Sequence, residues 1–322
     1  MVITIEFSEN PDKKWNDRLL KSELGNIYQT HQYGKLTEQA RNWEPNFLKF
    51  INSNGNIVGQ IMLTTYSRFE DKKIGLILRT IPKYNKKIYR WRCGPIIFDQ
   101  NLSSEIYKVF QNFLLSKKCI IQGSEHPLSA NLFLDNHSLN YNYWGTFLID
   151  LSNDKKTLWS KLHKNSARKN IQRSLSRNVQ IKEMKRKDLK EYHKMLHDTK
   201  LKSGGFQYLS RLEKYWDLLH PLGLTGFMAY ENKQAVGGIM ISTFNKYLNE
   251  FGVARSERDF NAKLYSQDLL KWKIIEWGVE NNFRYYDLTG VNPEPKTEKE
   301  MGIYNYKKKW GGNFIKFRLI NS

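Results

Sequence analysis

Two stretches of this 322-residue chain match each other at an offset of 178 residues. Phe47-Leu-Lys-Phe-Ile51 leads through the polar turn Asn52-Ser-Asn-Gly55 into Asn56-Ile-Val58-Gly59-Gln-Ile61-Met62-Leu63. Thr225-Gly-Phe227-Met-Ala-Tyr230 leads through Glu231-Asn-Lys233 into Gln234-Ala-Val236-Gly237-Gly-Ile239-Met240-Ile241. Both read as strand–turn–strand units, and both second strands carry Val-Gly-x-Ile-Met. The offset is about half the chain, which points to two copies of one domain. The length agrees, because it suits two domains of roughly 150 residues better than one core.

The second half spells out the layout. Lys155 to Arg177 is a helix candidate marked by Leu158, Leu162, Ile171 and Leu175. Lys187 to Lys200 is a second, broken by Ser203-Gly-Gly205, and Ser210 to Leu219 a third, with Ser210 as its cap. The hairpin at 225–243 follows, then a strand at 246–254, a loop at 255–263, a helix at 264–281, a strand at 283–288 and a loop at 289–299. Helices, antiparallel strands, then strand–loop–helix–strand make an α+β fold with a mixed, mostly antiparallel sheet flanked by helices. The first half repeats it: a helix near 31–41, the hairpin at 46–66, strands at 73–81 and 94–98, a helix at 103–117 and a strand at 119–122. The expected domains are 1–150 and 151–322, with the last strand free to pack back on the first domain.

Charge narrows the partners. With 52 Lys+Arg against 32 Asp+Glu, the net charge of +20 concentrates anions: nucleic acid, anionic headgroups or phosphorylated small molecules. Eight of these cations (Lys155, Lys156, Lys161, Lys164, Arg168, Lys169, Arg173 and Arg177) fall on the first of those helices. That stripe fits an RNA acceptor stem, a membrane surface or simply a solvated face. Cys93 and Cys119 are too few to staple the chain, so it reads as cytoplasmic. No apolar stretch approaches the roughly 20 residues of a membrane span, so any membrane contact is expected to be peripheral. Phosphate-loop, zinc and serine-hydrolase motifs are absent, and neither metal nor cofactor is expected.

Three segments carry candidate chemistry. A loop that opens a helix offers free N–H groups and the positive helix end to phosphate. Acetyltransferases of the GNAT type use a glycine-rich loop there to wrap the pyrophosphate of coenzyme A. Here the loop holds Arg258, Asn261 and Lys263 but no glycine. It is a donor-binding candidate or an ordinary charged loop. Asp287, in Tyr285-Tyr-Asp-Leu-Thr-Gly290, ends a strand and either orients an amine, accepts its proton, or caps a turn. Tyr306-Lys-Lys-Lys-Trp310 places lysines between aromatics. In an extended or turn conformation one of them, Lys307, faces a cleft and can stabilise an oxyanion, while Lys308 and Lys309 read as solvated charge.

These segments, with Phe147-Leu-Ile-Asp150-Leu, Arg168-Lys-Asn-Ile171 and Gly302-Ile303, resemble the FemABX family of aminoacyltransferases, two GNAT-like domains in tandem. The resemblance spans most of the chain and is strongest from about 147 to 312. It implies transfer of an amino acid from aminoacyl-tRNA to an amine of a nucleotide- or lipid-linked cell-envelope precursor by a monomeric enzyme. Lys307 would support the transition-state charge, Tyr306 would precede it, and Thr199, Tyr208 and Tyr247 would line the second-domain cleft. In the first domain, Tyr28-Gln29-Thr30 and Gly94-Pro95 with Asp99 match the precursor-binding elements. The family's lysine there falls near Thr37, with Lys35 the nearest substitute, and the basic–acidic pair after Thr199 becomes Lys202-Ser203. An acyl-CoA-dependent N-acyltransferase acting on a glycan or peptide amine, and a basic binding module without catalysis, remain the alternatives.

Overall fold

The computed structural model describes residues 2–67, 86–129, 139–200 and 208–321, the side chains of 197–200 excepted. The expected strand at 73–81 and Lys202 lie outside the described residues, as does the side chain of Thr199. The chain divides into two compact units, Met1–Trp144 with Lys316–Ser322, and Gly145–Ile315. The division falls inside one strand, β7 (Tyr141–Asp150), rather than after Asp150.

Unit 1 contains β1 (Ile3–Ser8), α1 (Trp15–Leu20), α2 (His31–Arg41), β2 (Glu44–Asn52), β3 (Ile57–Ser67), β4 (Lys87–Arg90), β5 (Ile96–Ile97), α3 (Ser103–Ser116) and β6 (Ile120–Ser124). Its strand order is β1-β2-β3-β4-β6, antiparallel except for the parallel pair β4–β6. Leu319–Asn321, from the last strand β13 (Asn313–Asn321), adds antiparallel to β6. Thr30 caps α2 by accepting from the Tyr33 amide, and Asn42 closes that helix in the left-handed region. Phe50, Ile61, Ile106 and Phe110 are central to this unit's core.

Unit 2 follows the same plan. It contains α4 (Lys155–Lys161), α5 (Lys169–Ser176), β8 (Gln180–Glu183), α6 (Leu189–Lys200), α7 (Leu209–Leu219), β9 (Leu224–Glu231), β10 (Gln234–Ser242), β11 (Tyr247–Arg255), α8 (Glu257–Asn261), α9 (Ser266–Glu280), β12 (Tyr285–Val291) and α10 (Glu298–Lys308). The order β8-β9-β10-β11-β12-β7 reproduces that of unit 1, with β11–β12 as the parallel pair. In both units a helix links the parallel strands, α3 in one and α9 in the other. The fold is α+β, as expected, with the matching hairpins at β2–β3 and β9–β10.

Several expectations change. Ser210 lies inside α7, which begins at Leu209, and the expected loop at 255–263 contains the short helix α8. The basic helix at 155–177 is two helices, because Leu162 and His163 are extended. The break buries Leu162, and the His163 amide donates to the Lys309 carbonyl at 2.9 Å. The segment from 302 is helical through Lys308, neither extended nor a turn. A capping box nucleates it: Thr297 accepts from the Glu300 amide, and Glu300 accepts from the Thr297 amide.

Candidate active site

The parallel pairing of β11 and β12 covers Tyr247↔Tyr285 to Asn249↔Asp287 and then stops, although β11 runs on to Arg255 and β12 to Val291. On the other side, the β12–β7 register shifts between Asp287 and Gly290, and Thr289 takes a φ of 59°. A bulge beside a strand divergence leaves carbonyls without ladder partners. Lys307, on α10, takes two of them: its ammonium donates to the Thr289 carbonyl at 3.1 Å and the Gly290 carbonyl at 2.9 Å. Burial pulls its pKa down to about 8, opposed by Glu250 and Asp287. An ammonium has three N–H donors. The third is uncommitted among the described residues.

Asp287 is buried just before the bulge. One carboxylate oxygen accepts from Thr146 and from the Thr289 amide at 2.7 Å. The other accepts from the Tyr247 hydroxyl at 2.7 Å and Asn249 at 3.2 Å. Burial nevertheless holds its pKa above the ordinary carboxylate range. Four donors saturate a carboxylate.

Behind Lys307 lies a buried ionic layer. Lys271 on α9 pairs with Glu250 on β11, which also accepts from the Tyr286 hydroxyl at 2.7 Å. Lys309 pairs with Asp268. Lys309 is therefore not the solvated charge expected of it: helical geometry turns it inward, while Lys308 stays exposed. The Tyr306 ring has the Lys309 ammonium 4.2 Å and the Lys271 ammonium 5.7 Å from its centroid. Its hydroxyl is buried without a hydrogen-bond partner among the described residues.

The α9 N-terminus is occupied from within the chain. Asp259, fully buried, accepts from the Ser266 amide at 2.8 Å and pairs with Arg255. Arg258 is held by Glu231 through two contacts of 2.7 and 2.9 Å. Asn261 and Lys263 are exposed. Tyr208 stands at the N-cap position of α7 without a side-chain capping hydrogen bond and is 59% exposed, Lys35 is exposed on α2, and Asp99 accepts from the Asn101 amide at 3.1 Å. Of the residues singled out in sequence, Lys307, Tyr306, Asp287 and Tyr247 thus come together. Sequence reasoning missed Thr146, Asn249, Glu250, Asp259, Asp268 and Lys271. The signal for Lys271 was present: a lysine inside the apolar run Leu269-Leu270…Ile274-Ile275 must bring a partner into the core.

Among the described residues, no cluster of His, Cys, Asp and Glu could hold a metal ion, and no helix is long and apolar enough to cross a membrane.

No protein-family profile matches the sequence, and no curated protein does. Solved structures match the fold over nearly the whole chain. FemX superposes with a TM-score of 0.69 at 12% identity, over 98% of this chain and 97% of its own. A conserved protein of unknown function from Bacteroides thetaiotaomicron VPI-5482 gives 0.59 at 10% identity, over 99% and 100%. L-PGS from Bacillus licheniformis gives 0.57 at 12%, over 98% and 93%. The chain has a FemX-like fold.

Proposed function

We propose that this protein is an aminoacyltransferase that moves an amino acid from aminoacyl-tRNA to an amine of a cell-envelope precursor. The observation that carries the reading is Lys307: a partly buried ammonium, anchored on two carbonyls where β11 and β12 part, with one N–H left over. When the acceptor amine attacks the ester carbonyl, a C–N bond forms and negative charge moves to the carbonyl oxygen. The third N–H of Lys307 meets that oxyanion. The C–O bond to the RNA then breaks, and the proton lost by the amine ends on the departing hydroxyl. No covalent enzyme intermediate is involved. Asp287, with its acceptor sites filled, acts as an orienting group: it holds Thr146, Tyr247 and the bulge whose carbonyls position Lys307.

An acyl-CoA donor is the second reading, favoured by the β11–α9–β12 arrangement. Against it, the buried carboxylate of Asp259 stands at the α9 N-terminus, where a pyrophosphate would have to bind. The test is transfer of labelled amino acid from charged tRNA, and of labelled acetyl from acetyl-CoA, to envelope precursors and peptide amines. Transfer from charged tRNA that survives unchanged in Lys307→Met would sink the role given to Lys307. Transfer from acetyl-CoA alone would replace the donor.

A further inference from the structure

Six side chains of unit 2 that the proposed reaction leaves unused lie in one neighbourhood. Lys169 and Arg173 sit one turn apart on α5, and Arg177 follows at the next turn; all three are exposed. The guanidiniums of Arg173 and Arg177 stand 5.6 and 5.7 Å from the centre of the Tyr265 ring. Arg173 also donates to the Tyr265 hydroxyl at 3.4 Å. Arg177 donates to the carbonyls of Ala262, at 2.9 Å, and Lys263. Lys263 is exposed beside them, and Phe260 on α8 is 63% exposed. Among the described residues none of these four cations has a carboxylate partner. Asp259 and Glu231 are already committed to Arg255 and Arg258.

Unpaired cations among accessible aromatic rings suit single-stranded RNA. Phosphates meet the charges, and unstacked bases lie on ring faces or guanidinium planes. A lipid surface is met instead by mobile lysines around an apolar face that enters the bilayer. Here two guanidiniums are tethered by carbonyls and a ring, which fixes their direction. The position matters as well. Tyr265 is the capping residue of α9, and Asp268 in the first turn of that helix holds Lys309, two residues beyond Lys307. We infer that this patch seats a single-stranded RNA end, the terminal nucleotides of the donor, and directs it toward Lys307. The inference rests on the proposed reaction.

The experiment uses the full chain and a labelled single-stranded RNA of about 12 nucleotides, within the range that such sites cover. Binding is measured across a salt series for the wild type, Lys169→Gln/Arg173→Gln, Phe260→Ala and Lys307→Met. The double variant is expected to bind roughly tenfold more weakly, with a log–log salt slope shallower by about 1.4, as for two lost phosphate contacts on a single strand. Phe260→Ala is expected to bind about fivefold or more weakly with the slope unchanged, which separates stacking from charge. Lys307→Met should bind like the wild type, and unchanged melting temperatures show that the fold is intact. RNA binding by the wild type with equal affinity in both patch variants overturns the patch and leaves the reaction standing. Patch-dependent binding to phosphatidylglycerol vesicles without RNA binding assigns the surface to a membrane and also overturns it. A wild type that binds no RNA but transfers acetyl from acetyl-CoA removes the proposed reaction as well.

Discussion

Lys307 has two opposite pH signatures, and together they test whether its cation serves transfer. Burial lowers its pKa from 10.5 to about 8. The reaction needs the protonated form, so the transfer rate is expected to fall above pH 8 as the ammonium is lost. Folding stability runs the other way. Between pH 8 and 10.5 the unfolded chain binds the proton more tightly than the folded one, so this residue's contribution to stability rises with pH. In Lys307→Met both dependences should weaken, with transfer slower by about 100-fold or more. A rate that stays level from pH 7 to 9.5 in the wild type would remove the electrostatic role. Asp287 is tested through stability. Asp287→Ala leaves Tyr247, Asn249 and Thr146 without their shared acceptor, at a cost on the order of 3 kcal/mol by chemical denaturation. Asp287→Asn keeps the shape and acceptor capacity on one side. It should recover part of that stability while Lys307, now lacking a nearby negative charge, loses its proton at lower pH.

At the scale of elements, the duplicated hairpin was legible because the run Val-Gly-x-Ile-Met recurs in β3 and β10, two strands buried at nearly every residue. Val58-Gly59 and Val236-Gly237 open that run in the two halves. Gly237 also has a packing reason: a Cβ there would lie 2.5 Å from the Ser266 hydroxyl and 2.8 Å from the Gln267 amide nitrogen, both on α9. Gly237→Ala should therefore cost about 1–3 kcal/mol, read from denaturant midpoints at unchanged slope. The helix α10 departs from the expected extended or turn conformation although Thr297-x-x-Glu300 is a start signal, because its lysine run and surface-heavy face carry no apolar stripe. That departure hid which lysines turn inward. The Asp259 cap escaped notice for another reason. It folds back over seven residues from a short helix, α8, and no local spacing rule reaches that far. Asp259→Ala should remove the cap and leave Arg255 without its carboxylate, at about 1–2 kcal/mol. It should also bare the α9 N-terminus to anions. Phosphate should then stabilise the variant against heat more than it stabilises the wild type. Equal stabilisation would mean that the terminus is closed by more than this carboxylate.

For the whole molecule, the sequence announced two copies of a fold and left the last strand free to pack back on the first, without naming its partner strand. That Leu319–Asn321 pair with β6 rests on backbone hydrogen bonds, which leave little trace in side-chain pattern. Each unit has its own core, around Phe50 and Phe110 in one and Ile239 and Ile274 in the other. Phe50→Ala and Ile274→Ala should accordingly lower different parts of the melting profile, each by about 2–5 kcal/mol. These two variants act as labels for the donor. With a net charge of +20, some attraction to any polyanion is expected everywhere on the surface, so affinity alone is a poor witness. A donor bound at Lys307 and the α5–α8 patch stabilises unit 2 specifically. At about 100 times its Kd it adds roughly 2.7 kcal/mol, or about 5–10 °C for a unit of this size. Charged tRNA should therefore raise the transition that Ile274→Ala lowers and leave the one lowered by Phe50→Ala in place, while coenzyme A at the same concentration moves neither. If tRNA raises both transitions alike, it is held by diffuse charge, and the assignment of donor binding to unit 2 fails.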